Sequence, residues 1–307
     1  MSSFALLLNV QIQFLIYFII GIVIIKKGVV KPSAVADFSG LIIKVTLPLT
    51  LFLSFASSNI AEQRLTDIIV IICGSVGSTI IGYGLGLIFY RNYPPAQRKV
   101  LRFSVLVANT AFIGISLMTA LYGETGAMFA SIYVIFNATT IFTVGIYIFN
   151  SDHTDKRTVI RNIVVNPPLI ACILGLLCSF YRVVLPDAIG AVARGLAACN
   201  TPLCMIMIGM VLAEIKLREA FNRIVIGVVL IRNLLIPLIC LVLTLPINVH
   251  PVARAVAVLS PGMPIVTASA AFARSYAGDE VLASKIIMLT TISTVVTLPL
   301  LAFLLEL

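Results

Sequence analysis

Two short stretches of this chain carry residues suited to gripping a ligand without transforming it. Ala108-Asn109-Thr110-Ala111-Phe112-Ile113-Gly114-Ile115-Ser116 and Ser260-Pro261-Gly262-Met263-Pro264-Ile265-Val266-Thr267 each fall near the middle of a long apolar run. Pro261 and Pro264 lack amide donors and Gly262 tolerates dihedrals closed to other residues, so the second stretch interrupts any helix that carries it. Asn109, Thr110 and Gly114 permit an interruption in the first stretch without forcing one. A half-helix restarting after such a break aims the positive end of its dipole at the gap, which favours an anion. Lys44, four residues before Pro48, and Arg232 lie near the middle of two further apolar runs. A Lys or Arg at that depth in a bilayer costs about 2.5–3.5 kcal/mol on insertion scales, so it faces a cavity or a partner. The acids Asp37, Asp67 and Glu214 sit near run ends, which leaves the middle short of negative charge. An anionic ligand corrects that imbalance; the alternative is that Lys44 or Arg232 binds carbonyls freed at the breaks and holds them open. Arg194 and Lys285, nearer run ends, are expected to snorkel. Asn137 and Asn200 are mid-run amides as suited to bonding neighbouring helices as to touching ligand.

These residues need membrane-spanning helices to position them. Of the 307 residues only 11% are charged and 60% are hydrophobic, and the mean hydropathy is +1.13, against about 25% charged residues in a soluble domain. A span needs about 20 apolar residues, and such runs occupy residues 4–25, 34–57, 66–90, 100–121, 125–149, 160–181, 188–213, 221–245, 252–273 and 280–305. The fold class expected is all-α integral membrane with ten transmembrane helices and no soluble domain. Phe4 to Ile25 has no Lys or Arg before it and reads as a retained first span, not a cleaved signal. The six cysteines all lie inside apolar segments, without a CxxC pair, and His153 and His250 are far apart, so neither a disulfide framework nor a zinc site is expected.

Basic residues alternate between the two sets of joints. One side holds fourteen: Lys26, Lys27, Lys31, Arg91, Arg98, Lys99, Arg102, Lys156, Arg157, Arg161, Lys216, Arg218, Arg223 and Arg274; the other holds three, Arg64, Arg182 and Arg254. The positive-inside rule makes the fourteen-charge side cytoplasmic, with both termini outside. The formal net charge of +9 is spread over these joints and not gathered on one face, so a nucleic-acid partner is not expected.

The second half echoes the first. Thr46-Leu47-Pro48-Leu49 matches Asn200-Thr201-Pro202-Leu203, Gly123-Glu124 matches Gly278-Asp279, and Thr143-Val144-Gly145 matches Thr297-Leu298-Pro299, at a shift of 154 to 155 residues. Five spans is an odd number, so repeats over residues 1–150 and 151–307 lie inverted in the membrane, the plan of many secondary transporters. The two breaks then occupy equivalent places in the fourth and ninth spans.

Val45-Thr46-Leu47-Pro48, Asn109-Thr110-Ala111-Phe112-Ile113-Gly114, Tyr122-Gly123-Glu124, Asn166-Pro167-Pro168, Pro261-Gly262-Met263-Pro264 and Tyr276-Ala277-Gly278-Asp279 together resemble the auxin efflux carrier family, which includes plant PIN-type auxin carriers and bacterial malate or malonate permeases. The resemblance covers nearly the whole chain. It implies a five-plus-five fold like that of the sodium/bile-acid symporters, with spans 4 and 9 crossing at their broken centres, an elevator-like motion, a homodimer and residence in the cell (inner or plasma) membrane. By position, Asn109, Thr110, Pro261, Gly262, Met263 and Pro264 would line the crossover, with Thr46, Pro48, Asn200 and Thr201 nearby. Ala108 and Ala111 depart from the family's Gly-rich turn, and the long cytoplasmic loop of many plant members is absent, so a short-looped bacterial-type permease is the better match and auxin a poor substrate.

The function expected is a secondary carrier for a mono- or dicarboxylate such as malate or malonate. No nucleotide-binding loop occurs. No carboxylate sits at mid-depth to relay protons, and backbone carbonyls at the breaks are able to hold sodium, so the coupling ion, Na+ or H+, stays open. An anion channel or a sodium-coupled organic-anion symporter is the alternative. An enzyme is not expected, because no HExxH, GxSxG, Ser-Lys or Asp-Asp arrangement occurs in the spans.

Overall fold

The computed structural model describes residues 3–58, 63–149, 161, 164–213 and 217–306. The joint at 150–160 with His153, Lys156 and Arg157, and the residues Glu214 and Lys216, lie outside them. All described elements are helical: α1 Ser3–Lys26, α2 Ala34–Ala56, α3 Leu65–Phe89, α4 Pro95–Leu106, α5 Thr110–Phe149, α6 Pro167–Phe180, α7 Asp187–Leu212, α8 Leu217–Ala220, α9 Arg223–Thr244, α10 Pro251–Leu259, α11 Ser269–Ser275 and α12 Glu280–Glu306. Among the described residues the nearest thing to a strand is one antiparallel bridge, Ala108 to Ile265.

Seven of these helices (α1, α2, α3, α5, α7, α9 and α12) are long and apolar enough to cross a bilayer. Ile12, Ile80, Val242 and Val296 are each more than half exposed, a surface that suits hydrocarbon and not water. The chain is therefore a multi-pass membrane protein, and among its polar groups Ser75, Ser131, Asn137, Asn200 and Arg232 are buried. Pro167 and Pro251 open α6 and α10 in the first turn, where a missing amide costs nothing. Asn222 caps α9 by accepting from the Val225 amide at 2.9 Å.

Within α5 the chain doubles back. Gly123 takes φ +59° and ψ −142°, and a Cβ built on Gly126 would lie 2.2 Å from the Met118 carbonyl oxygen. Residues eight apart in a straight helix are about 12 Å apart along its axis, so that approach requires a reversal. Wide π-helical turns occur at Ile42–Thr46 in α2, Thr110–Gly114 and Ile141–Gly145 in α5, and Leu230–Leu235 in α9. Each frees carbonyls inside a long helix, and π-bulges of this kind are frequent at functional sites.

Joints that share a face by their charge also meet in space. At one end the Asp279 amide donates to the Ala96 carbonyl (3.2 Å) and Lys99 Nζ to the Tyr276 carbonyl (3.2 Å). At the other, Arg64 donates to the Asn248 carbonyl (3.1 Å), the His250 amide to Asp67 Oδ1 (2.7 Å) and Ser179 to the Ser58 carbonyl (2.5 Å). Lys285, expected to snorkel, places its ammonium 3.9 Å from the exposed Glu219 on α8.

Candidate functional site

The two interrupted runs meet each other directly. α4 stops at Leu106, Val107 turns extended (φ −119°, ψ 127°), and helix resumes at Thr110. α10 stops at Leu259, and helix resumes only at Ser269. Ala108 pairs with Ile265, and the Asn109 amide donates to the Pro264 carbonyl at 2.8 Å. Backbone groups freed by one break are thus satisfied by the other, which is what a dry interior demands. Pro261, Gly262, Met263 and Pro264 are all buried; the Gly262 amide donates to the Leu259 carbonyl (3.0 Å) and the Met263 amide to the Ser260 carbonyl (3.2 Å). Gly262 is not needed for an unusual dihedral, since the positive-φ glycines are Gly28 and Gly123. It is needed for space: its missing Cβ would sit 3.1 Å from both Leu301 and Pro237.

Three side chains brace the crossing. Asn137 Nδ2 donates to the Ala108 carbonyl (2.9 Å) and to Thr110 Oγ1 (2.5 Å). Thr290 Oγ1 accepts from the Ile265 amide (3.4 Å). Asn233 in turn grips the Thr290 carbonyl (3.0 Å) and Ser293 Oγ (2.8 Å). Arg232, 1% exposed, donates through Nη1 to the Val105 carbonyl (3.0 Å) and through Nε to the Met263 carbonyl (3.5 Å), so one guanidinium spans both breaks. The carbonyls it bonds are ones freed at the two breaks.

Several buried polar atoms here have no protein partner: Asn109 Nδ2, Asn200 Nδ2, Asn233 Oδ1 and Ser260 Oγ. An unpaired buried group costs about 1–3 kcal/mol, so each of these calls for a water or a ligand, as do like groups at the helix ends Tyr90 and Asn166. Asn200 opens the second half of α7. Its Oδ1 accepts from Thr46 Oγ1 (2.9 Å) while Nδ2 is left free. The next residue, Thr201, donates to Ser116 Oγ (2.9 Å), two residues past the Thr110–Gly114 segment. Thr46, Asn200 and Thr201 therefore border the first break through Ser116.

A family model described as membrane transport protein matches residues 6–302 of this chain. The chain belongs to that family, the family of the auxin efflux carriers. It is a transporter and not an enzyme. An uncharacterized transporter of Methanothermobacter thermautotrophicus is 25% identical over 294 residues, covering 93% of this chain and 94% of the relative. One of Methanocaldococcus jannaschii is 26% identical over 282 residues, covering 88% and 89%.

In this transporter the sequence candidates sort into two groups. Asn109, Thr110, Met263, Pro264 and Arg232 meet at the crossing, and Pro261 and Gly262 shape its second arm. Lys44 does not join them: it is exposed on α2, in a segment that packs on α6 and α7. Asn137 is a brace. Asn233, Ser116, Ser260 and Thr290 were not among the sequence candidates. The signal available for Asn233 was its position beside Arg232, and for Thr290 the hydroxyl-rich run Thr290-Thr291-Ile292-Ser293-Thr294 in an otherwise apolar span. A lateral groove of about 460 Å³ between α3 and α5, lined by Thr79, Ile80, Tyr83, Thr143, Val144 and Tyr147, contains none of these residues and no charged group.

Proposed function

We propose that this protein is a secondary transporter for a small organic anion, a mono- or dicarboxylate of the malate or malonate size, bound at the crossing of the two broken helices. The observation that carries the proposal is the pairing of free amide donors, Asn109 Nδ2 and Asn200 Nδ2, with a buried guanidinium that has carbonyl acceptors and, among the described residues, no carboxylate partner. Donors without acceptors, in the same pair of broken helices as a positive charge without a carboxylate, suit an anion. Thr110, whose oxygen accepts from Asn137, supplies a hydroxyl at its edge, and Thr46 and Thr201 hold Asn200 and Ser116 beside it.

Alternating access by an elevator-type motion goes with a ten-helix arrangement of two inverted five-helix repeats, residues 1–150 and 151–307. Two hydrogen bonds favour that symmetry. Thr46 bonds Asn200 across 154 positions, and the Asn109 amide bonds the Pro264 carbonyl across 155 positions, the same shift that aligns the halves. A residue that touches its own repeat mate lies on the axis relating them, so both pairs would mark a pseudo-twofold through the site. A homodimer in the cell membrane with both termini outside completes the proposal.

Asn233 Oδ1 and Ser260 Oγ are free oxygens and favour a second version, a sodium-coupled symporter. Counterflow in proteoliposomes tests both: labelled carboxylate should accumulate transiently against unlabelled acid inside, and sodium dependence would select the second version. Linear, non-saturable flux would point to an anion channel instead.

A further inference from the structure

Arg232 is 1% exposed, and the groups its guanidinium bonds, the carbonyls of Val105 and Met263, carry no net charge. Among the described residues the buried carboxylate of the helices is Asp67, which lies in the first turn of α3 and accepts from the His250 amide. It is remote in sequence and depth from the crossing. A second cation is not at hand either. Lys44 is exposed on α2, and Arg102, one turn before Val105 on α4, leans on Gly86 of α3, whose missing Cβ would sit 3.5 Å from Arg102 Cγ. Among the described residues, Arg232 is therefore the one positive charge bonded to the crossing.

We propose that Arg232 is the countercharge that makes the site selective for monoanions, so that monocarboxylates are carried and dicarboxylate dianions are discriminated against. This rests on the carrier reading above and narrows its substrate class. Empty, the centre has a charge of +1; with a monocarboxylate it is neutral, and with a dianion it is −1. Only the neutral complex crosses the low-dielectric region without carrying an unpaired charge. One uncompensated charge at that depth corresponds to about a hundredfold weaker binding or slower passage of the dianion. The amide donors of Asn109 and Asn200 orient the carboxylate without altering this balance. Arg232 is thus a specificity residue acting by charge as well as a brace.

The test is exchange of labelled acid against the same acid in sodium-free proteoliposomes, with the voltage clamped at 0 or 100 mV by a potassium gradient and valinomycin. Pyruvate and acetate serve as monoanions and malonate and malate as dianions, at a pH where the diacids are doubly ionised. Monocarboxylate exchange is expected to change less than twofold between the two voltages. Dianion exchange is expected to be at least tenfold slower, and to rise as the pH is lowered and the singly ionised diacid appears. Moving one charge through the whole field changes a rate by up to about 50-fold per 100 mV, so a neutral and a charged complex are readily told apart. In Arg232→Gln, monocarboxylate exchange should become voltage-dependent; if that variant does not fold, the wild-type comparison decides. Faster exchange of the dianion than of either monocarboxylate, or monocarboxylate exchange that varies more than fivefold with voltage, overturns the proposal while leaving an anion carrier intact. Exchange of neither class sinks the carrier reading and this proposal with it.

Discussion

At the first break the chain leaves helix only from Val107 to Asn109 and re-enters it through a wide turn that runs on into Ile115–Thr140; at the second it stays irregular from Ser260 to Ala268 and resumes as the short helix Ser269–Ser275. The first break contains no proline and keeps a free amide side chain, Asn109. The second is built from Pro261 and Pro264 and offers mainly backbone, with Met263 set beside Gly114 (3.8 Å from that residue's missing Cβ). Two arms at equivalent places in the sequence are thus built differently. One carries the amide proposed to meet the ligand, and the other is a proline-built segment whose Pro264 carbonyl accepts from the first arm.

The largest effect expected is on the brace common to both arms. Arg232→Leu takes donors from the Val105 and Met263 carbonyls together, and we predict a loss of about 2–4 kcal/mol, read as a lower unfolding midpoint in detergent. An unchanged midpoint would show that the guanidinium holds nothing. Next, Asn137→Ala and Asn109→Ala should separate. Asn137 satisfies Ala108 and Thr110, so its loss should cost about 1–3 kcal/mol of stability. Asn109 Nδ2 bonds nothing in the protein, so its truncation should leave stability within about 0.5 kcal/mol yet weaken substrate binding at least about tenfold. Equal stability losses in the two variants would erase the distinction between brace and ligand group. On the second arm, Gly262→Ala should cost about 1–3 kcal/mol through overpacking against Leu301 and Pro237, more than Gly114→Ala, whose tightest contact is Thr110 Cβ at 3.3 Å. The smallest effect expected is at the turn that follows the second arm. Ala277 takes positive φ, so Ala277→Gly should gain up to about 1 kcal/mol; a thermal melt of the variant checks the sign.

Much of the helical layout was legible because a bilayer dictates run length and puts punctuation at polar joints: α2, α3, α7 and α12 begin and end within two residues of the apolar runs. The breaks were legible too, from Asn109 and from Pro261 and Pro264. What each polar residue does there was not. Lys44 and Arg232 look alike in sequence, both mid-run cations, but one is exposed on α2 and the other is buried between two arms. That difference is set by which helices pack together, and no local pattern encodes it. Asn137 likewise bonds a carbonyl 29 positions away, and Gly262 is dictated by Leu301 and Pro237 rather than by its own dihedral. The left-handed residue of the second turn, Ala277, is the neighbour of the glycine that the repeat points to; Gly278 is a glycine for space, its missing Cβ lying 3.0 Å from both Ala273 Cα and Phe149.

The central claim is that the free amides at the crossing bind an organic anion, and calorimetric titration of the purified protein with pyruvate, acetate, malonate and malate tests it most directly. Wild-type protein should bind at least one of these acids saturably, and the Asn109→Ala, Asn200→Ala double variant, equally folded, should not. Undiminished binding by the double variant, or no binding of any acid by the wild type, would contradict the account.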